Sequence, residues 1–253
     1  MAPLDAAAVA FDPENAVHAE ARALNATYEG LGTVAMLDAL LHEVYPGRIA
    51  LVSSFGAESS VLLHLISQAD KAAPILFVDT QKLFGETKRY RDMLTTRFGL
   101  SDVRTIVPDA GDVAAADADG GLWMRDTDRC CHIRKVLPLE RALEGFDAWI
   151  TGRKRFQSAT RAQLTLFEAD GERIKVNPLA NWSAEEVKAY ALKHDLPPHP
   201  LVAQGFLSIG CMPCTERVRP GEDARAGRWR GTEKVECGIH LPTHGQEADG
   251  SGI

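Results

Sequence analysis

Three short apolar, β-rich runs at residues 48–52, 74–79 and 103–107 alternate with helical patterns at Ser59–Ala69 and at 86–98. This alternation restricts the fold more than any other feature. Strands separated by a helix cannot pair as tight hairpins; each joins its neighbour through a right-handed crossover, so the pattern predicts βαβ units and a parallel sheet. Ahead of the first run, apolar residues at helical spacing (Val17, Ala21, Leu24, then Val34, Leu37, Leu40, Leu41) predict two helices between residues 12 and 44. A helical pattern from about 128 to 143 leads into a fourth buried strand at 147–151, and Pro138 inside that pattern should kink or break it. Residues 164–169 and 173–176, around Asp170-Gly171-Glu172, predict an antiparallel hairpin added to the sheet, while Ser183 with Glu186 forms a capping box for a helix to about His194. The predicted fold class is α/β, a mostly parallel twisted sheet flanked by helices.

Past Pro197-Pro198 the chain becomes loop-like, with Gly205, Gly210, Pro213, Pro220, Gly221, Gly227 and Gly231 spread through it. One domain is expected over 1–253, divided into an α/β core at 1–204 and a loop-rich, mobile segment at 205–253 that carries chemistry. Gly, Gln, Glu, Asp and Ser from Gly245 onward predict a disordered end. A formal charge of −7 argues against nucleic-acid binding through a broad basic surface. The Ala-rich start lacks a basic region, and Asp5 interrupts it, so neither a secretory signal nor a membrane span is expected. A cytoplasmic location follows, where five cysteines are expected to act as ligands or catalysts rather than as disulfides.

Chemistry concentrates in four places. Ser53-Ser54-Phe55-Gly56-Ala57-Glu58-Ser59 leaves a predicted strand and enters a predicted helix, which makes it either an anion cradle of backbone N–H groups or an ordinary turn. It lacks the Gly-Lys-Ser/Thr ending of a Walker loop. Cys130-Cys131 and Cys211-Met212-Pro213-Cys214 supply two close pairs of thiolates for zinc or an iron–sulfur cluster. Zinc pairs usually leave two to four residues between ligands, so the adjacency of Cys130 and Cys131 favours a larger body with separate iron corners. Cys237 stands alone near the end, flanked by Lys234, His240 and His244, whose charge would draw it toward thiolate while Glu236 opposes that shift. Cations recur beside these features: Arg134 and Lys135, Arg153-Lys154-Arg155 with Arg161, and Arg225 with Arg228. His64, His132 and Trp123 are assigned to packing.

Together the motifs closely resemble the assimilatory sulfonucleotide reductases, in particular the thioredoxin-dependent adenylyl-sulfate (APS) reductases that carry a [4Fe–4S] cluster. The resemblance rests on Ser53-Ser54-Phe55-Gly56-Ala57-Glu58, Val78-Asp79-Thr80, Cys130-Cys131-His132-Ile133-Arg134-Lys135, Thr151-Gly152-Arg153, Gln157-Ser158 and Thr160-Arg161. It continues through Gly210-Cys211-Met212-Pro213-Cys214-Thr215, Gly227-Arg228-Trp229 and Glu236-Cys237-Gly238-Ile239-His240. It implies an adenine-nucleotide α-hydrolase-like sheet. The loop at Ser53, Ser54, Phe55 and Gly56 would hold the phosphosulfate of APS, and the backbone near Val78 and Gly152 would face the adenosine. Lys135, Arg161, Arg225, Arg228 and His240 match positions at the phosphosulfate, and Cys130, Cys131, Cys211 and Cys214 match the cluster ligands. Cys237 matches the nucleophile, which takes the sulfonate, expels AMP as product and is resolved by thioredoxin or a similar dithiol. Two positions depart from the pattern: Gln81 stands where relatives more often carry Gly, and Gly85 where they carry Pro. The residues leave open a homo-oligomer, PAPS (the 3′-phosphorylated nucleotide) as sole or second substrate, and a non-catalytic nucleotide-binding iron–sulfur sensor.

Overall fold

A computed structural model of the chain describes residues 13–240. The N-terminal stretch weighed as a signal, His244 and the end from Gly245 lie outside the described residues. Six strands form one sheet in the order β3-β2-β1-β4-β6-β5: β1 Ile49–Val52, β2 Ile75–Val78, β3 Val103–Ile106, β4 Ala148–Ile150, β5 Phe167–Asp170 and β6 Arg173–Val176. Every pairing is parallel except that of β5 with β6.

Successive side chains leave a strand on opposite faces, and the two faces are covered unequally. Ile49, Leu51, Ile75, Phe77, Ile150 and Val176 enter the large core, which is closed by α1 (Pro13–Tyr28), α2 (Thr33–Ala39), α3 (Ser59–Ala69), α4 (Gly85–Phe98) and α9 (Ala184–Lys193). Ala50, Leu76 and Trp149 point the other way, onto Leu139 and Leu143 at α8 (Leu137–Ala142). Both faces are therefore buried, which is why β1 and β2 read as unbroken apolar runs rather than alternating ones.

The helix expected over 128–143 is continuous but changes pitch. α7 (Thr127–Cys131) passes into a wide turn at His132–Val136, where the N–H of Leu137 donates to the carbonyl of His132, before α8 begins. Pro138 has no N–H to close an ordinary turn behind it, so the helix widens just ahead of the proline. The hairpin differs from expectation at its start. Its first strand begins at Phe167, because Leu166 and Thr165 give their carbonyls to the backbone and side chain of Asn177; at the other end Asp170 joins the ladder, leaving Gly171-Glu172 as a two-residue turn with Gly171 at φ 61°. The capping box at Ser183 and Glu186 forms as expected. Two short helices without a predictive pattern, α5 (Ala110–Ala116) and α6 (Leu122–Arg125), fill the link between β3 and α7.

Candidate active site

β1 is flanked by β2 on one side and β4 on the other, so the chain reverses its direction of winding there. A crevice opens at the carboxyl ends of strands at such a point. The loops leaving β1, β2 and β4 deliver Ser53, Ser54, Val78, Thr151 and Gly152 to one cavity of about 270 Å³. Gly56 sits tightly: a Cβ there would come within 3.3 Å of the Ile209 carbonyl oxygen and of Ser54 Oγ. Phe55 departs from expectation. Its side chain is fully buried at φ 47°, edge-on to Phe77 in the core, and only its N–H serves the loop, donating to Ser53 Oγ at 3.2 Å.

The segment after residue 204 closes the cavity. An isolated bridge between Leu83 and Cys211 and the Met212 N–H donating to the Lys82 carbonyl fasten it to the core, and a second bridge, between Thr215 and Arg228, ties the segment to itself. Gly227 is required by close approach, since any side chain would collide with the Glu216 carbonyl. This docking brings Arg225, Arg228, Cys237 and His240 to the same cavity as Lys135 and Arg161. All sequence-predicted substrate positions except the Phe55 side chain therefore converge.

Cys237 Sγ lies 3.8 Å from Lys135 Nζ. Burial opposes ionisation of this thiol, yet Lys135, the Ile239 N–H and Arg228 together hold its pKa below the ordinary cysteine value. The source of charge differs from expectation. Lys234 is paired with Asp128 and lies over the Trp229 ring, while burial and the surrounding Arg153, Arg161, Lys175 and Arg225 keep His240 neutral by pushing its pKa well below the usual range. His240 stacks flat on Trp149, and its Nδ1 has no hydrogen-bond partner among the described residues. Arg161 forms a fork on Glu236 at 2.7 and 2.8 Å. Lys154, also weighed as a site cation, is buried on Glu58 at 2.9 Å; Arg153 is paired with Glu168, and Arg155 donates to the Leu164 carbonyl.

Beside this cavity is a second, smaller one lined by Cys130, Cys131, Cys211 and Cys214. Burial, reinforced by the neighbouring sulfurs, pushes the thiol of Cys130 up to about 11, that of Cys131 up to about 12 and that of Cys214 upward. Thiols held up in this way become thiolates together only if a cationic body lies among them. Among the described residues no three His, Cys, Asp or Glu side chains converge closely enough to hold a single ion. Four cysteine sulfurs lining one cavity are a donor set that a polynuclear cluster can use. Thr80 Oγ1 stands 3.1 Å from Cys211 Sγ. Arg134 is not a substrate cation: it is buried on Asp117 at 2.7 Å and donates to the Thr80 carbonyl at 3.1 Å, bracing the cysteine cavity.

Residues 48–217 match the family described as the phosphoadenosine phosphosulfate reductase domain. The chain belongs to this family. It is 50% identical over 230 residues to an adenosine 5′-phosphosulfate reductase of Mesorhizobium japonicum, covering 91% of each chain. To the adenosine 5′-phosphosulfate reductase of Deinococcus radiodurans it is 45% identical over 197 residues, covering 76% of this chain and 75% of that one. Among solved structures, the phosphoadenylyl-sulfate reductase of Candida auris superposes with a TM-score of 0.64 at 26% identity, covering 78% of this chain and 96% of that one. A Candida glabrata FMN adenylyltransferase, at 15% identity and a TM-score of 0.51 over 87% of this chain and 86% of that one, shares the fold alone.

Three residues do more in the folded chain than the sequence reveals. Trp229 lines both cavities and forms the wall between them, at φ 48° and with Arg228 4.3 Å over its ring. Its place in Gly227-Arg228-Trp229 marks it, but nothing in that spacing says which way the ring turns. Gln81, where the resemblance implies glycine, adopts φ 62°, the left-handed region that favours glycine; here the Asp79 carboxylate accepts the Gln81 N–H at 2.9 Å. Asp117 has no motif at all, and only the fold brings it to Arg134.

Proposed function

We propose that the chain reduces adenylyl sulfate to sulfite and AMP in sulfate assimilation. The observation that carries this reading is the Cys237 thiol, favoured as thiolate and 3.8 Å from the Lys135 ammonium, in a cavity rich in guanidinium groups. Ser53, Ser54, the Phe55 backbone and Gly56 cradle the anion, Val78 and Gly152 border the adenosine, and Lys135, Arg161, Arg225, Arg228 and His240 surround the phosphosulfate. A thiolate attacking a sulfonate meets like charge, and preorganised cations offset that repulsion where it develops. Sγ forms a bond to the sulfate sulfur as the bond from that sulfur to the phosphate oxygen breaks; AMP leaves with the electron pair and Cys237 becomes an S-sulfocysteine. A dithiol such as thioredoxin then supplies both electrons: sulfite leaves, the Cys237 thiol is restored and the donor becomes a disulfide.

Cys130, Cys131, Cys211 and Cys214 are the residues that would hold a [4Fe–4S] cluster. When bound it would supply the positive charge that keeps the four thiols ionised. Because Cys211 and Cys214 belong to the closing segment and Cys130 and Cys131 to α7, these ligands tie the two together beside Lys135. In this reading residues 1–204 are the nucleotide-binding core and 205–253 the ligand loop and catalytic tail, working in the cytoplasm where thiols stay reduced.

The test is anaerobic purification of wild type, Cys237→Ser and Cys214→Ser, with visible absorption and thioredoxin-dependent sulfite release from APS. Cluster colour is expected in wild type and Cys237→Ser and sulfite from wild type alone. Sustained sulfite release by Cys237→Ser overturns the reading, and full release by a colourless Cys214→Ser protein overturns the anchoring role.

A further inference from the structure

Arg161 and Arg225 border the cavity where an anionic substrate group would lie, yet one carboxylate already engages both. Glu236 Oε2 and Oε1 accept from Arg161 at 2.7 and 2.8 Å, and Oε1 also accepts from Arg225 at 3.1 Å. Glu236 is 9% exposed and immediately precedes Cys237, whose N–H donates to the same Oε1 at 2.9 Å. Two adjacent residues of the tail thus present two anionic groups to the site: the carboxylate to the arginine pair and the thiolate to Lys135. The cations that dock the tail are the cations that the substrate needs.

We propose that Glu236 is a positioning residue whose carboxylate competes with the substrate's anionic group for Arg161 and Arg225, so that nucleotide binding displaces it and repositions the peptide bearing Cys237. The proposal rests on the reductase reading of this cavity. A carboxylate and a phosphate offer a guanidinium similar paired oxygens, and both cannot occupy the same fork. The exchange is close to balanced, because one buried anion replaces another and neither arginine is left without a counter-ion. The two arginines also hold the Glu236 carboxyl below its usual pKa against the upward push of burial, so it enters the competition ionised.

The sign of one measurement separates this from a plain structural staple. In Glu236→Gln, AMP should bind about tenfold tighter by calorimetry, and the KM for APS should fall together with kcat, since a ground-state competitor and a positioning contact are lost at once. In wild type, AMP should accelerate iodoacetamide alkylation of Cys237; in Glu236→Gln alkylation should be fast without AMP and indifferent to it. Glu236→Asp, which keeps the charge, should stay near wild type in AMP affinity. Unchanged or weaker AMP binding by Glu236→Gln overturns the proposal, and so does AMP protecting Cys237 in wild type or leaving its alkylation rate unaltered. The wild-type arm keeps the test decisive should Glu236→Gln not fold. Failure of the reductase reading has its own signature, a wild type that neither binds AMP nor releases sulfite from APS, and the proposal falls with it.

Discussion

The sheet and the closing segment are held by different physics. Through Leu196, buried apolar side chains run unbroken along the central strands and recur along helices, and the large core contains no residue beyond that point. From 205 to 240 the buried apolar side chains are Ile209, Cys211 and Trp229, and the segment is further attached by the ion pairs of Glu236 with Arg161 and of Lys234 with Asp128 and by the isolated bridge between Leu83 and Cys211. Apolar burial is non-directional and sums over many contacts, so the sheet tolerates the loss of any one. Charge pairs are few, directional and exchangeable for ligand, which suits a segment that must meet a substrate and then a reducing partner.

The sharpest way to break this contrast is at the seam between the two regions. Asp117→Ala should cost about 3–5 kcal/mol in urea unfolding, because it strands Arg134 in the interior. A loss under about 1 kcal/mol would mean that Arg134 finds water or another partner and that the pair is not what braces the cysteine cavity. Lys135→Met has a smaller effect on stability and a large one on chemistry. Removing the ammonium removes the main group that favours the thiolate, so the pKa of Cys237 rises and its alkylation profile moves to higher pH, with a several-fold slower reaction at neutral pH. An unmoved profile would assign the activation to Arg228 and the Ile239 N–H instead. The smallest effect is expected in the core: Ser183→Ala should cost about 1 kcal/mol by loss of the cap while leaving Cys237 reactivity unchanged. A change in that reactivity would show the two regions to be coupled more tightly than their contacts indicate.

The same division governs what the sequence makes legible. Ile49 to Val52 and Ile75 to Val78 are readable because period and burial act within a few residues, and Ser183 with Glu186 because a capping box is local. The cysteine pairs and Cys237 are readable by type and spacing. What was not readable depends on distant partners: Asp117 to Arg134 across 17 residues, Glu236 to Arg161 across 75, and Thr80 to Cys211 across 131. Lys234 illustrates the same limit. Proximity in the chain nominates it as the activator of Cys237, whereas the folded chain gives that place to Lys135, 102 residues away. The short helices α5 and α6 escaped because Ala110–Ala116 buries no side chain and Leu122–Arg125 buries one, so neither leaves a periodic stripe.

The central claim is that Cys237 itself receives the sulfonate. Its most direct test is intact-protein and peptide mass measurement after mixing the anaerobic wild-type protein with APS in the absence of any thiol. One sulfonate added per chain, located on the peptide containing Cys237 and discharged as sulfite by thioredoxin, is the predicted result. Stoichiometric AMP release with Cys237 unmodified would contradict it.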